Sequence, residues 1–203
     1  NNLVCNMKAN TAFVIGNGVS RSAIDLNLLK KHGTVYACNA VYRDYDPDYL
    51  VAVDPKMVFE INESQYQHKY NNVWTNKHKR FENLNGFNYF EKSLGWSSGP
   101  TALSLASEHK NNIIYMLGFD YMGVDSGKLY NNIYANTKNY MNKTDRATYY
   151  HNWLRQTEDV FRKNQQIKYC RIILPDNLQT HKLNSFVNYS TMLIDDFRVK
   201  LGT

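Results

Sequence analysis

The sequence predicts an α/β protein with a Rossmann-like, mostly parallel sheet that has helices on both faces. Short runs of apolar residues recur along the chain and alternate with segments of helical periodicity, which is typical of parallel strands buried on both faces. Nearly every apolar run ends at a glycine, asparagine, aspartate or proline, the residues that favour tight turns. Because the chain has 203 residues and neither repeats nor a low-complexity linker, we expect a single domain spanning residues 1–203.

The first half of the chain predicts three strands and one helix. The strands are expected at residues 11–15, 34–38 and 49–53. A helix is expected over residues 21–32, where the apolar side chains have helical spacing. Its cap is Ser20 or Ser22, its apolar face consists of Ile24, Leu28 and Leu29, and its stop is Gly33. Residues 56–95 are harder to interpret, and only 72–75 and 87–90 have strand character.

The second half predicts two more strands and three helices around an irregular segment. A helix opens within SSGPTALSLASEHKNN (residues 97–112), with Ser98 or Gly99 as its cap and Pro100 in its first turn. The remaining elements are strands at 113–117 and 169–174 and helices at 144–165 and near 189–200. Residues 121–143 are rich in tyrosine and asparagine and have little periodicity, which indicates a mobile flap. The flap subregion extends over about residues 121–150.

The composition indicates a globular protein and favours anionic partners. Hydrophobic residues make up 43% and charged residues 21% of the chain, which excludes an intrinsically disordered protein. The net charge of +6 favours nucleotides or nucleic acid as partners. Cys5, Cys38 and Cys170 show neither a disulfide framework nor metal-ligand spacing, so we expect reduced thiols in the cytoplasm. No run has the length of a membrane span and the N-terminus does not resemble a secretory signal, although a peripheral membrane contact stays open.

Small and polar residues follow the predicted strands, at the edge of the sheet where α/β proteins bind ligands. These residues are Gly16, Asn17, Gly18, Asn39, Asp54, Gly118 and Asp120, together with Ser98 and Gly99 at a helix start. Glycines at a strand end let backbone N–H groups reach a phosphate, and a following helix adds a favourable dipole. Asparagine suits a base edge or a ribose. The first turn lacks the Gly-Lys-Ser/Thr of a P-loop and the third glycine of a dinucleotide fingerprint, so an ordinary tight turn stays open as the alternative.

Six segments, taken in order, resemble the bacterial sialyltransferases of glycosyltransferase family 42. They are VIGNGVSRSAIDL, YACNAVY, SSGPTALSLA, IYMLGFDYMG, DRATYYH and LPDNL, and they span about residues 12–180. Each motif is short, and only the ordered set is specific. A related fold also occurs in methanopterin pyrophosphokinase-like and flagellin accessory proteins.

The resemblance implies a nucleotide-binding domain that transfers a sugar from a CMP-linked donor with inversion, without a metal or other cofactor. By position, the residues that would hold the nucleotide are Asn17, Asn39, Ser98 and Gly99, with Gly118 and Asp120 lining the same pocket. Tyr121 and Tyr130 resemble the two tyrosines that bind the leaving phosphate, and His151 resembles the general base. Histidine suits that role because it exchanges protons near neutral pH, and tyrosine hydroxyls can stabilise a departing phosphate where no metal does so.

This chain departs from the family pattern at several points. Val19 stands in place of the family's proline and Ser97 in place of its threonine, and segments 56–97 and 121–150 are shorter. The nearest cation before Ser97 is Lys92, whereas the carboxylate of a sialic acid calls for a cation. Another pyrimidine nucleotide sugar therefore stays open as the donor. The acceptor would carry a hydroxyl group, on a glycan or, given the positive net charge, on a modified nucleic acid.

Two other functions stay open on the sequence alone. A pyrophosphokinase-like enzyme of the same fold would need ATP and Mg²⁺, with Asp54 and Asp120 as metal ligands. A non-catalytic module would bind nucleotides or nucleic acid through its positive charge and aromatic flap. Asp44, Asp46 and Asp48 also resemble the Asp-x-Asp pattern of metal-dependent glycosyltransferases, but the proline and tyrosines among them favour a loop.

Overall fold

The computed structural model describes residues 10–177 and 182–203. Within them, eight strands form one parallel sheet in the order β5-β4-β3-β2-β1-β6-β7-β8. The strands are β1 (Thr11–Ile15), β2 (Thr34–Cys38), β3 (Tyr49–Val51), β4 (Val73–Asn76), β5 (Asn88–Phe90), β6 (Ile113–Leu117), β7 (Lys168–Ile173) and β8 (Tyr189–Leu193). The chain builds outward from β1 to β5 and then returns to the other side of β1, so the topological switch point lies between β1 and β6. The predicted fold class is confirmed.

Helices cover both faces of the sheet. The α-helices are α1 (Pro55–Ser64), α2 (Gln67–Tyr70), α3 (Ser98–Glu108), the distorted single turn α4 (Val124–Gly127), α5 (His151–Lys163) and α6 (Ile194–Leu201). Short 3₁₀ helices occur at Val19–Ala23, Leu26–Leu28, Asn39–Arg43, Lys79–Phe81 and Leu183–Ser185. In the part of the chain that the structure describes, none of the helices combines the length and the apolarity that a membrane span needs.

Alternate residues of the central strand β1 enter two cores, one on each face of the sheet. Phe13 and Ile15 pack on the face that α1 and α6 cover. Ala12 and Val14 pack on the face that α3 and α5 cover. All four side chains are at most 1% exposed, and full burial of a side chain as large as valine or phenylalanine stabilises the fold by about 1.5–3 kcal/mol. The continuous apolar run is thus explained by burial on both faces.

Most of the predicted strands are confirmed. The runs at 11–15, 34–38 and 113–117 are β1, β2 and β6, and the segments at 72–75 and 87–90 are β4 and β5 to within one residue. The strand predicted at 49–53 ends at Val51, and the one predicted at 169–174 runs from Lys168 to Ile173.

The helix predicted over residues 21–32 is wrong, because polar side chains there bond to the backbone. The segment holds two 3₁₀ stretches separated by extended backbone at Ile24. Arg21 folds back, and its Nε donates to the carbonyl oxygen of Gly16 at 2.8 Å. Asp25 accepts the N–H of Asn27 at 3.0 Å and so caps a new short turn. Such local side-chain bonds compete with helix formation.

The last predicted helix, near 189–200, is wrong in its first part. Residues 189–193 form the edge strand β8, which pairs in parallel with β7, and α6 begins only at Ile194. The helix start was signalled by Asp195 and Asp196, because acidic residues favour the first turn of a helix.

The helix boundaries elsewhere follow local capping chemistry. The helix predicted in segment 97–112 is confirmed as α3, although its N-cap is Ser97. The helix predicted from residue 144 begins only at His151. The chain before it lies beside α4, where the N–H of Ala147 donates to the carbonyl oxygen of Lys128 at 2.9 Å. Helix α1 was not predicted, although Asp54 followed by proline is a typical helix start.

The cysteines were expected to be reduced thiols. Cys38 and Cys170 are free and buried, and burial raises the pKa of both thiols, that of Cys38 to about 12. Cys5, the N-terminal lead-in of residues 1–9 and Leu178 of the last motif lie outside the described residues.

Candidate active site

A cleft lies at the carboxyl ends of β1, β2, β3 and β6, next to the start of α3. It consists of an inner cavity of about 170 Å³ and an outer cavity of about 630 Å³. Six residues line both cavities, namely Asn39, Ser97, Ser98, Asn131, Asn132 and Trp153. The sequence-predicted residues Gly16, Asn17, Gly18, Asn39, Ser98, Gly99, Gly118, Asp120 and Tyr121 line the inner cavity, and Asp54 and Tyr130 line the outer one. The structure therefore brings the polar strand ends together at the switch point.

The glycines of the first turn are explained by a close crossing of two backbones. The N–H of Gly16 donates to the carbonyl oxygen of Leu117 at 2.7 Å, and the N–H of Gly18 donates to that of Gly118 at 2.9 Å. A Cβ atom on Gly16 or Gly18 would lie only 2.8 or 2.7 Å from the Gly118 oxygen, and Gly118 itself has a φ of 71°. What approaches these glycines is therefore the turn after β6.

The phosphate site expected at this turn stays a prediction, which the N–H groups of the two glycines do not favour. Both are bonded to carbonyl oxygens of the protein. The α-helix that was expected to add its dipole is replaced by a 3₁₀ turn at Val19–Ala23. Gly16 and Gly18 still line the inner cavity, where their lack of a side chain keeps it open.

Asp120 and Asn17 hold the loops of the cleft in place. The carboxylate of Asp120 accepts hydrogen bonds from the hydroxyl of Ser20, from the N–H of Ser20 at 3.1 Å and from Nδ2 of Asn131 at 3.1 Å. The side chain of Asn17 donates to the carbonyl oxygen of Cys38 at 3.2 Å and accepts from Arg21 at 3.3 Å. Both side chains are 8% exposed. Their polar atoms are thus used to join the ends of β1, β2 and β6 with the flap.

The start of α3 supplies the anion-binding geometry that the sequence placed after β1. The first turn of an α-helix leaves N–H groups without acceptors inside the helix, and the helix dipole adds partial positive charge there. Ser98 and Gly99 are the first two residues of this 11-residue helix, and both line the inner cavity. The hydroxyl oxygen of Ser98 accepts the N–H of Val53 at 3.1 Å, which fixes the helix start against the end of β3.

Asn39 carries an unused hydrogen-bond acceptor in the cleft. It follows β2, has a φ of 56° and lines both cavities. Its Oδ1 atom is buried and has no hydrogen-bond partner among the described residues. An unpaired buried acceptor costs free energy, so this atom is suited to accept a hydrogen bond from a ligand.

The flap lies over the carboxyl ends of the strands and is bonded to them. The N–H of Ile133 donates to the carbonyl oxygen of Asn17 at 2.8 Å. Arg43 donates to Oγ1 of Thr137 at 2.7 Å and to the carbonyl oxygen of Lys138 at 2.8 Å, while it forms an ion pair with Glu60 at 2.5 Å. The flap is therefore irregular, as predicted. Hydrogen bonds join it to residues of the main body, and its mobility stays a prediction.

The two predicted leaving-group tyrosines have different environments. The hydroxyl of Tyr121 donates to Oγ1 of Thr157 at 3.0 Å, and the guanidinium of Arg171 lies 5.3 Å from its ring centre. Tyr121 is buried, so its hydroxyl is directed into the interior rather than toward a phosphate. Tyr130 is half-buried and lines the outer cavity. Burial raises the pKa of both hydroxyls, which stay protonated donors at neutral pH.

His151 lies at the rim of the cleft. It is the exposed first residue of α5, and its ring is stacked 4.8 Å from that of Tyr149 and 4.4 Å from that of Tyr150. His151 is not among the residues that line the two cavities. Tyr149 and Asn152, which flank Tyr150 and His151 in the sequence, line the outer cavity. His151 is thus exposed to solvent beside the outer cavity.

The acidic residues that the sequence offered as metal ligands have separate partners. Asp54 is exposed and caps α1 by accepting the N–H of Lys56 at 2.8 Å. Asp44 accepts from the hydroxyl of Tyr134, Asp46 pairs with Lys69, and Asp48 accepts the N–H of Val35. Over residues 10–177 and 182–203, no group of three histidine, cysteine or acidic side chains is arranged to hold a metal ion.

The sequence interpretation missed several residues of the cleft. Asn131 and Asn132 line both cavities from the flap, and Trp96 and Trp153 line the outer one. The adjacent asparagines in the flap were a usable signal, because amide side chains bind sugars and bases. Trp153 has the spacing of an apolar helix residue, and periodicity alone could not distinguish it from the core.

Comparison with solved structures finds the same fold in a bacterial enzyme. The sialyltransferase CstII from Campylobacter jejuni, in complex with a substrate analogue, cytidine-5'-monophosphate, has a TM-score of 0.51 and 14% identity, over 84% of this chain and 82% of that chain. A variant of α-2,3/8-sialyltransferase CstII has a TM-score of 0.47 at 14% identity, over 87% of this chain and 85% of that one. No protein-family model matches the sequence, and no curated protein does so either. The first of these likenesses confirms the Rossmann-like fold that the six motifs implied.

Proposed function

We propose that this protein is a metal-independent, inverting glycosyltransferase that uses a pyrimidine nucleotide sugar, CMP-linked in the first instance, as its donor. The observation that carries the proposal is that the first turn of α3 and Asn39, whose Oδ1 atom is unpaired within the described part of the chain, line one cavity at the switch point. A helix start binds phosphate, and an amide oxygen accepts from a base. The fold likeness to a sialyltransferase solved with CMP supports the same assignment.

The inner cavity would hold the nucleotide and the outer cavity the sugar and the acceptor. The Oδ1 atom of Asn39 is an acceptor, so it matches the exocyclic amino group of cytosine. The N–H groups of Ser98 and Gly99 would bind the phosphate through the helix start. Asn17, Asp120 and the glycines would act by shaping the cavity, because their polar atoms already have partners in the protein.

The transfer would be a single displacement at the anomeric carbon. The acceptor oxygen forms the new bond to that carbon, the bond to the phosphate oxygen breaks, and CMP leaves with the electron pair. His151 would take the proton of the acceptor hydroxyl at the rim of the cleft. Tyr130, which lines the outer cavity and whose hydroxyl is protonated, would donate to the departing phosphate. The acceptor is proposed to be a glycan.

A thermal-shift experiment with a matched pair of variants tests the nucleotide site. Asn39→Gly removes the amide but keeps a residue that tolerates positive φ, and Asn71→Gly does the same at an exposed residue of φ 50° outside the cleft. We expect CMP to raise the Tm of the wild type and of Asn71→Gly, with EDTA present, and to have little effect on Asn39→Gly. An equal shift in both variants, or a shift seen only with ATP and Mg²⁺, would contradict the proposal.

A further inference from the structure

A separate cavity of about 560 Å³ lies between α3 and the ends of β4 and β5. Helix α3 packs over β1, β2 and β3, so β4 and the edge strand β5 extend beyond it. The crossover from β4 to β5 runs on the opposite face of the sheet, where Phe81 and Phe87 are buried in the other core. The face of β4 and β5 next to α3 is therefore hollow.

Aromatic rings form the floor of this cavity. The ring centres of Trp74 and Phe90 are 5.5 Å apart with an interplanar angle of 35°, and both side chains are partly exposed. Leu94 lies beside them and is 40% exposed. Flat aromatic surfaces of this kind pack against the C–H groups on one face of a pyranose ring, which buries apolar area without burying hydroxyl groups.

Polar groups surround the aromatic floor. Asn76 lines the cavity, and its Oδ1 atom is buried without a hydrogen-bond partner in the described part of the chain. Ser104 lines the opposite wall from α3 and contributes a hydroxyl group. The wall also carries the carboxylates of Glu91 and Glu108 and the ammonium group of Lys92. Amide, hydroxyl and carboxylate groups are the partners that sugar hydroxyls need.

The charges select against an anionic ligand. Two carboxylates and one ammonium group line the cavity, so a phosphate or a sialic acid carboxylate would meet net negative charge. A neutral ring meets no such cost. The volume also falls in the range of about 300–1,000 Å³ that small-molecule sites occupy.

We infer that this cavity is a second saccharide site that binds a neutral hexopyranose unit of the acceptor glycan. Residues 91–97 separate it from the proposed active site: Lys92 and Leu94 line this cavity, and Gly95 and Trp96 line the outer cavity of the cleft. A glycan held here would thus lie next to the rim where the acceptor hydroxyl enters. That the bound glycan is the acceptor rests on the proposed function, but the binding of a neutral saccharide does not.

Saturation-transfer NMR with lactose and maltotriose tests the site in the full chain. Ser104→Tyr would fill the cavity from the helix side while leaving the aromatic floor in place. Trp74→Phe would retain a smaller ring, and Tyr70→Ala removes a more exposed aromatic ring, 54% exposed, outside the cavity. We expect at least one saccharide to give transfer signals with the wild type and with Tyr70→Ala. Ser104→Tyr should weaken binding about tenfold or more, and Trp74→Phe by less.

Two results would overturn the inference. One is the absence of saturation transfer from the wild type to either saccharide, and the other is binding that Ser104→Tyr leaves unchanged while its Tm stays that of the wild type. The CMP thermal shift is measured on the same samples to separate the two proposals. Absence of saccharide binding to the wild type, with its CMP shift present, would refute only the second site. Saccharide binding without any CMP shift would refute only the nucleotide site.

Discussion

The hydrogen bonds and the ion pair that connect the flap with α1 allow a quantitative prediction for Glu60. Its carboxylate accepts from Nε and Nη2 of Arg43, from the hydroxyl of Tyr42 and from Nδ2 of Asn139, and its side chain is only 9% exposed. In Glu60→Gln one oxygen becomes an NH₂ group that faces donors. We expect the loss of at least one or two charge-assisted hydrogen bonds at about 1.5–3 kcal/mol each. Allowing for relaxation, the free energy of unfolding should fall by roughly 2–4 kcal/mol.

The same residue predicts how the effect depends on pH. Burial raises the pKa of Glu60, but the hydrogen bonds from Arg43, Tyr42 and Asn139 outweigh it, and the pKa is lowered overall. The folded state therefore favours the ionised carboxylate, and this stabilisation is present above the ordinary glutamate pKa of about 4.3. It is lost as the pH falls through the lower folded-state value. The difference between wild type and Glu60→Gln should be full at pH ~7 and shrink below pH ~4.

Urea denaturation at several pH values measures both effects. Glu63→Gln is the matched control, because Glu63 also lies on α1 and pairs with the flap through Lys138, but these two side chains are 68% and 67% exposed. An exposed pair of this kind contributes about 0–1 kcal/mol. A destabilisation of Glu60→Gln no larger than that of Glu63→Gln, or one that does not change with pH, would refute the reasoning.

Three further predictions concern the cleft. Gly18→Ala places a Cβ atom against the backbone of the crossing turn and should lower the free energy of unfolding by about 1–3 kcal/mol. The control Gly99→Ala meets only ordinary contacts and should change that free energy by less than about 0.5 kcal/mol. Urea denaturation measures both. His151→Ala should lower the transfer rate by about 100-fold or more while the Tm shift with CMP is kept; transfer at the wild-type rate would exclude it as the base. Tyr130→Phe should slow transfer, while Tyr121→Phe should mainly lower the free energy of unfolding, by about 1 kcal/mol. Kinetic and melting measurements in which Tyr121→Phe slows transfer and Tyr130→Phe does not would assign the leaving-group role to Tyr121.

The central strands were predictable from the sequence because their determinants are local. Each central strand is a short apolar run, and burial on both faces requires nothing more of the sequence. The segment after β1 was not predictable in the same way. Its apolar spacing is helical, but the long side chain of Arg21 reaches the backbone of Gly16, and Asp25 caps a turn of its own. Two side-chain hydrogen bonds thus prevent the helix that the spacing of the apolar residues predicts, because that spacing takes no account of polar side chains.

The candidate site was predictable in position but not in the role of each residue. Parallel strands bring their carboxyl ends to one edge, so Asn17, Asn39 and Asp120 had to lie near one another. Which of them faces a ligand depends on partners distant in sequence. Asp120 bonds to Ser20, 100 residues away, whereas Asn39 is left with an unused acceptor. Sequence spacing contains no information about such pairings.

The glycine crossing between the turns after β1 and β6 has a consequence for how this motif is used to recognise related proteins. Gly16, Gly18 and Gly118 exclude side chains from one another whether or not a nucleotide is present. A side chain at any of the three would destabilise the fold whatever the protein binds. Retention of G-N-G in a distant homologue is therefore evidence of shared architecture. Shared chemistry would have to be judged from the amide after β2, whose Oδ1 atom has no partner among the described residues, and from the start of α3.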